Sequence, residues 1–119
     1  MIKAIIVEDE SYIRKGLITL IESINQDIII VAECGTIKEA ETVIAACKPN
    51  LVLLDINLPD GTAFDLLEKL KTISFQLIFI TAYNEYALRA LKAGALDYIL
   101  KPVDPEELAE ALQKVEKAF

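Results

Sequence analysis

Leu51-Val52-Leu53-Leu54-Asp55-Ile56-Asn57 is an unbroken apolar tetrad that runs straight into a carboxylate. A strand with no polar residue on either side must be covered on both faces, and that is the condition of a parallel sheet sandwiched between helices. Working outward, four more blocks share this character: Ala4-Ile5-Ile6-Val7, Ile28-Ile29-Ile30-Val31, Leu77-Ile78-Phe79-Ile80 and Tyr98-Ile99-Leu100. β-Branched residues run through them and none alternates with polar residues, so five buried strands are expected.

The intervening segments carry helix signals. Ile13, Leu17, Leu20, Ile21 and Ile24 fall on one helical face, with Arg14, Lys15 and Glu22 off it. Thr36 and Glu39 have the spacing of a capping box for a second helix, which should end near Lys48 because Pro49 cannot continue it. A third helix is expected from about Thr62 to Lys71, and a fourth, capped by Asn84, stops at Gly94. Asp104-Pro105-Glu106-Glu107 supplies a cap, a first-turn proline and two acids that suit the dipole of a fifth. Strand and helix therefore alternate five times, which implies an α/β, doubly wound, five-stranded parallel sheet with helices on both faces and right-handed crossovers.

The chain has 119 residues, which suits one domain over residues 1–119, and the last helix is expected to end with the chain, leaving no output domain within it. Hydrophobic residues make up 54%, yet charges interrupt every apolar run well short of the ~20 residues a membrane span needs. No secretory signal opens the sequence, so a soluble cytoplasmic protein with no membrane contact is expected. The net charge of −7 disfavours direct contact with nucleic acid phosphates. Cys34 and Cys47 lack a CxxC spacing, and with no histidine in the chain they read as reduced thiols rather than zinc ligands. The missing histidine also excludes imidazole-dependent triads and general bases, so any chemistry falls to carboxylates, hydroxyls and lysine.

Sites in open α/β sheets form beyond the carboxyl ends of the strands. There the sequence places Glu8-Asp9 after strand one, Asp55 with Ile56-Asn57 after strand three, Thr81-Ala82 after strand four and Lys101-Pro102 after strand five. Each alone has an ordinary explanation as a cap, a strand end or a solvated charge; together they collect three acids, a hydroxyl and a lysine on one edge. Converging carboxylates repel unless cations sit between them, and Mg²⁺ and Lys101 are the candidates. Asp9 and Asp55, with a backbone carbonyl nearby, match the oxygen donors Mg²⁺ prefers. A carboxylate such as Asp55 is a competent nucleophile toward phosphorus where cations and donors hold the phosphoryl oxygens, roles that Lys101 and Thr81 fit.

Glu8-Asp9, Asp55, the Leu58-Pro59-Asp60-Gly61 turn, Thr81-Ala82 and Lys101-Pro102, in that order along the whole chain, resemble the receiver domains of bacterial two-component response regulators. The resemblance implies a flavodoxin-like fold with strand order 2-1-3-4-5. It implies a phosphoryl group accepted on Asp55 from a sensor histidine kinase, with Asp9 binding Mg²⁺, Glu8 assisting and Asn57 contributing its backbone carbonyl. Thr81 and Lys101 would hold the phosphoryl group, the domain itself supplying much of the catalysis of aspartyl phosphorylation and dephosphorylation. Lys101-Pro102 would be cis, and Tyr98 would swing inward as Thr81 moves. The face of helix four, strand five and helix five would change shape and could pair receivers into a homodimer.

Glu8 stands where Asp is commoner, and Tyr83 sits where its side chain can screen water; both bear on the lifetime of the phosphoryl group. The stretches Ile80–Leu88 and Leu96–Asp104 are most similar to receivers joined to LytTR-type DNA-binding domains, so DNA would be reached only through an output domain beyond Phe119.

Three alternatives compete. An aspartyl-phosphate phosphatase needs a second Asp two residues after the first, where Asn57 stands; an FMN carrier needs a Gly, Ser and Thr cradle where Glu8-Asp9-Glu10 stands. A stand-alone or phosphorylation-independent interaction module would be credible were Asp55, Thr81 or Lys101 missing.

Overall fold

In the computed structural model, which describes residues 1–118, the five strands run Ile2–Val7 (β1), Ile28–Cys34 (β2), Leu51–Leu54 (β3), Gln76–Thr81 (β4) and Asp97–Leu100 (β5). They form one parallel sheet in the order β2-β1-β3-β4-β5, the order expected. Five helices alternate with them: Ser11–Ile24 (α1), Ile37–Cys47 (α2), Ala63–Lys69 (α3), Ala87–Lys92 (α4) and Pro105–Ala118 (α5).

Successive residues of each strand serve opposite faces. Ile5, Val7, Val52, Leu54, Leu77 and Phe79 face α2, α3 and α4 in one core cluster, while Ile6, Leu53, Ile78, Ile80 and Ile99 meet α1 and α5 in the other. Burying each such side chain stabilises the fold by about 1.5–3 kcal/mol, so the central strands anchor the sheet edge on which the site is built. A charge at Leu53, which is 1% exposed, would break it.

The edge strand departs from the expectation of burial on both sides. Ile29 and Val31 are 40% and 38% exposed, because β2 has a neighbour on one edge only. Val31 is an extra residue: Ile30 pairs with Ala4 but Ala32 with Ile5. Ile28 and Ile30 thus belong to the α1–α5 cluster, and Ala32 and Cys34 to the other.

Several boundaries shift for local reasons. At α2, Thr36 accepts the Glu39 N–H at 3.1 Å, but the Glu39 carboxylate takes the Gly35 N–H at 3.2 Å, so the expected box is not reciprocal. The reciprocal box is Thr62 with Asp65, and it starts α3 at Ala63. The fourth helix begins after Tyr86 with no side-chain cap, not at Asn84. Between β3 and α3 a two-stranded ribbon pairs Asn57 with Thr62 and Leu58 with Gly61, a feature too short for any periodicity to announce.

Candidate functional site at the carboxyl edge

Pairing of the strands delivers the acids side by side. Val7 is in register with Leu54 and with Cys34, and the Asp55 N–H donates to the Val7 carbonyl at 3.0 Å while the Glu8 N–H donates to the Cys34 carbonyl at 2.9 Å. Opposite them, Thr81 pairs with Leu100, and the Lys101 N–H donates to the Thr81 carbonyl at 2.8 Å. The peptide bond Lys101-Pro102 is cis. A cleft of about 390 Å³ results, lined among others by Glu8, Asp9, Asp55, Asn57, Tyr83 and Lys101.

Each of Glu8, Asp9 and Asp55 offers a carboxylate oxygen, these atoms lying within 4.8 Å of one another. Lys101 Nζ donates to Asp55 Oδ2 at 2.8 Å and also to Glu8 Oε1. The remaining oxygens are partly satisfied by backbone: Glu8 Oε2 accepts the Glu10 N–H at 2.9 Å and Asp55 Oδ1 the Ile56 N–H at 2.7 Å. Burial pushes the Glu8 carboxyl above the usual range, with the Asp55 charge adding to it, although Lys101 and the Glu10 N–H pull the other way. Burial alone would lower Lys101; its hydrogen bonds to Asp55 and Glu8 outweigh that and raise it, so the ammonium stays charged at neutral pH.

One ammonium thus faces three clustered acids. An all-oxygen, charge-dense donor set with a spare negative charge suits a hard divalent cation rather than zinc or another soft metal. Asn57 lines the same cleft.

Two expected members lie outside the cleft. Thr81 is fully buried, its Oγ1 accepting the Tyr83 N–H at 3.4 Å. Tyr98 packs on Phe79 with ring centroids 6.0 Å apart, and its hydroxyl donates to the Tyr83 carbonyl.

Sequence reading missed two supporting residues. Arg14, assigned to the solvent side of α1, donates from Nη1 to the Glu8 carbonyl at 2.6 Å and from Nε to Glu33 Oε1 at 2.7 Å. Asp60, noted only as part of a turn, accepts from the first turn of α2. Arg14 lies one helical turn from Glu10, the only hint that it could reach back to the loop.

Comparison with known proteins fits this geometry. The response regulator receiver domain family matches residues 4–113. The sensory transduction protein LytT of Bacillus anthracis is 37% identical over 119 residues, covering 98% of this chain and 48% of its own length. LytT of Enterococcus faecalis is 40% identical over 115 residues, covering 95% and 47%. The chain spans about half the length of the curated relatives it matches. Among solved structures, the response regulatory domain of mrkE from Klebsiella pneumoniae superposes with a TM-score of 0.89 at 32% identity, covering 98% of this chain and 96% of that one. With the sheet order, the acid cluster beside Lys101 and this family match in agreement, the chain belongs to the receiver domains of two-component response regulators.

Proposed function

We propose that Asp55 is the phosphoacceptor and that the reaction requires Mg²⁺ held by Asp9, Asp55 and the Asn57 backbone carbonyl, with Glu8 assisting. The observation that carries this reading is the bond from Lys101 Nζ to Asp55 Oδ2 inside a cluster of three acids. Bound there, the cation would neutralise charge on the phosphoryl oxygens and so lower the repulsion between the acidic edge and its substrate.

A histidine kinase is the partner the family implies, and the domain acts in the cytoplasm. An Asp55 carboxylate oxygen attacks phosphorus as the bond to the donor imidazole breaks; one O–P bond forms, one N–P bond is lost, and the imidazole takes the electron pair. Lys101, already on Oδ2, passes to a phosphoryl oxygen, so its charge is in place before the transfer. Burial of Asp55 at 7% exposure, with Tyr83 at the mouth of the cleft, limits the water that could hydrolyse the product.

The phosphoryl group then draws the Thr81 hydroxyl away from the Tyr83 N–H, and Tyr98 leaves the Tyr83 carbonyl to follow it. Thr81, Lys101 and Asp55 act in the transfer; Thr81 and Tyr98 form the switch. Leu88, Leu91 and Leu100 are 64%, 68% and 42% exposed on α4 and β5, which supports pairing of two receivers through the α4–β5–α5 face. The resemblance to LytT proteins about twice as long favours a LytTR-type DNA-binding output and a role in transcription regulation.

The test is intact-mass spectrometry after incubation with a small acyl phosphate and Mg²⁺, beside Asp55→Asn and a chelator control. A phosphoryl-sized gain lost in both controls is expected. No gain in a folded, Mg²⁺-binding sample would replace this reading with a phosphorylation-independent interaction module.

A further inference from the structure

The ribbon after β3 carries Asn57 on one strand and is tied to a different helix by one side chain at its turn. Asp60 Oδ1 accepts the Ile37 N–H at 2.8 Å and Oδ2 the Lys38 N–H at 3.1 Å, across 23 and 22 positions of sequence. Thr36 accepts the Glu39 N–H, so the first three N–H groups of α2 are all partnered, two of them from the far side of the site.

The turn is shaped for this reach. Gly61 has φ +150°, and a Cβ there would meet Asp65 Oδ2 at 2.9 Å, the oxygen that accepts the Thr62 N–H in the α3 cap. The other wall of the cleft is fastened to the preceding element, since Arg14 bridges the Glu8 carbonyl to Glu33 near the end of β2. The end of β2 and the start of α2 therefore each receive a tie from one of the two loops that bear the proposed metal donors.

We propose that Asp60 is a positioning residue for Mg²⁺: by docking the ribbon on the first turn of α2, it fixes the Asn57 carbonyl at the spacing that Asp9 and Asp55 require. This rests on the reading of the metal donors above. A carbonyl on an untethered ribbon must be ordered when the ion binds, and that ordering weakens affinity. The coupling is reciprocal, so Mg²⁺ uptake slows exchange of the Ile37 and Lys38 amides.

The test is calorimetric titration of Mg²⁺ into chelator-stripped 119-residue chain, as wild type, Asp60→Ala, Asp60→Asn and Thr36→Ala, with thermal melts of each. Asp60→Ala is expected to weaken Mg²⁺ about tenfold, the low end for residues that orient a metal's ligands. Asp60→Asn, which keeps one acceptor, weakens it less. Thr36→Ala removes a cap from the same helix without touching the ribbon; it lowers the melting temperature and leaves Mg²⁺ affinity unchanged.

Wild-type affinity in Asp60→Ala, or equal weakening in Thr36→Ala, overturns the proposal. Where the alanine variant fails to fold, undiminished affinity in Asp60→Asn overturns it in the same way. A wild-type chain that takes up no Mg²⁺ removes the metal reading itself and this inference with it. Uptake that Asp60 does not influence removes only the inference.

Discussion

Replacing Asp9 with Asn removes one charge from the acid cluster at little structural cost. Asp9 is exposed, and among the described residues no hydrogen bond to its carboxylate is seen. Its oxygen lies within 4.8 Å of those of Glu8 and Asp55. At that separation two unit charges repel by about 0.9 kcal/mol in a water-like medium and about 3.5 kcal/mol at an effective dielectric of 20.

Exposure puts Asp9 near the lower figure per neighbour, and Lys101 offsets part of the sum, leaving a gain of about 1 kcal/mol for the metal-free variant. For a domain of this size that raises the melting temperature by about 4 °C. With Mg²⁺ at 100 times its dissociation constant the wild type gains about 2.7 kcal/mol, and a variant unable to bind falls behind by about 1.7 kcal/mol. The order of stability should thus invert between chelator and Mg²⁺, read by calorimetric melts at low salt. Added salt should shrink the difference in chelator. An Asp9→Asn chain melting at or below wild type in chelator would refute the claim that these acids repel in the folded state.

Lys101→Ala should act oppositely, costing about 2–3 kcal/mol in urea titrations without metal, because it strands Glu8 and Asp55 in a mostly buried setting. Gly61→Ala should cost about 1–3 kcal/mol through its positive φ, and the close Asp65 oxygen adds to the strain. Burial, with the Glu39 charge adding, pushes the Cys34 thiol up to about 11 from 9.0, so at pH 8 an alkylating agent should modify the half-buried Cys47 and spare Cys34. Because the folded value is the higher one, the Cys34 contribution to stability is complete below about pH 9 and is lost as pH rises through about 11, visible as a falling melting temperature in that window. Leu91→Glu should leave acyl-phosphate labelling of Asp55 intact while abolishing any phosphorylation-induced dimer in light-scattering measurements.

Strands were legible because burial on two faces leaves a mark in every residue of a tetrad such as Leu51–Leu54, and the clustering of Glu8, Asp9, Asp55 and Lys101 followed from where those strands end. The placement of Thr81 and Tyr98 outside the cleft was not, since it rests on hydrogen bonds to the backbone of Tyr83, set by tertiary packing. Nor were Arg14 and Asp60, whose partners are backbone groups of segments set by tertiary packing: a carbonyl or an N–H has no letter of its own. The fourth helix lost its expected start because only Ala90 of its six residues is buried, so little packing enforces a boundary at Asn84.

The extra residue in β2 changes the parity of that strand. Up to Ile30 the even positions look toward α1; past Val31 it is Glu33 that does so, and there it meets Arg14. Were the same seven residues, Ile28 to Cys34, to run in unbroken alternation, keeping Ile28 and Ile30 beneath α1 would turn Cys34 to that side as well and Glu33 to the side of α2, sending the acid into the core and the thiol toward the arginine. The bulge at Val31 therefore reconciles the order of these residues with two roles, apolar wall in the first half of the strand and anchor for the loop of Glu8 in the second.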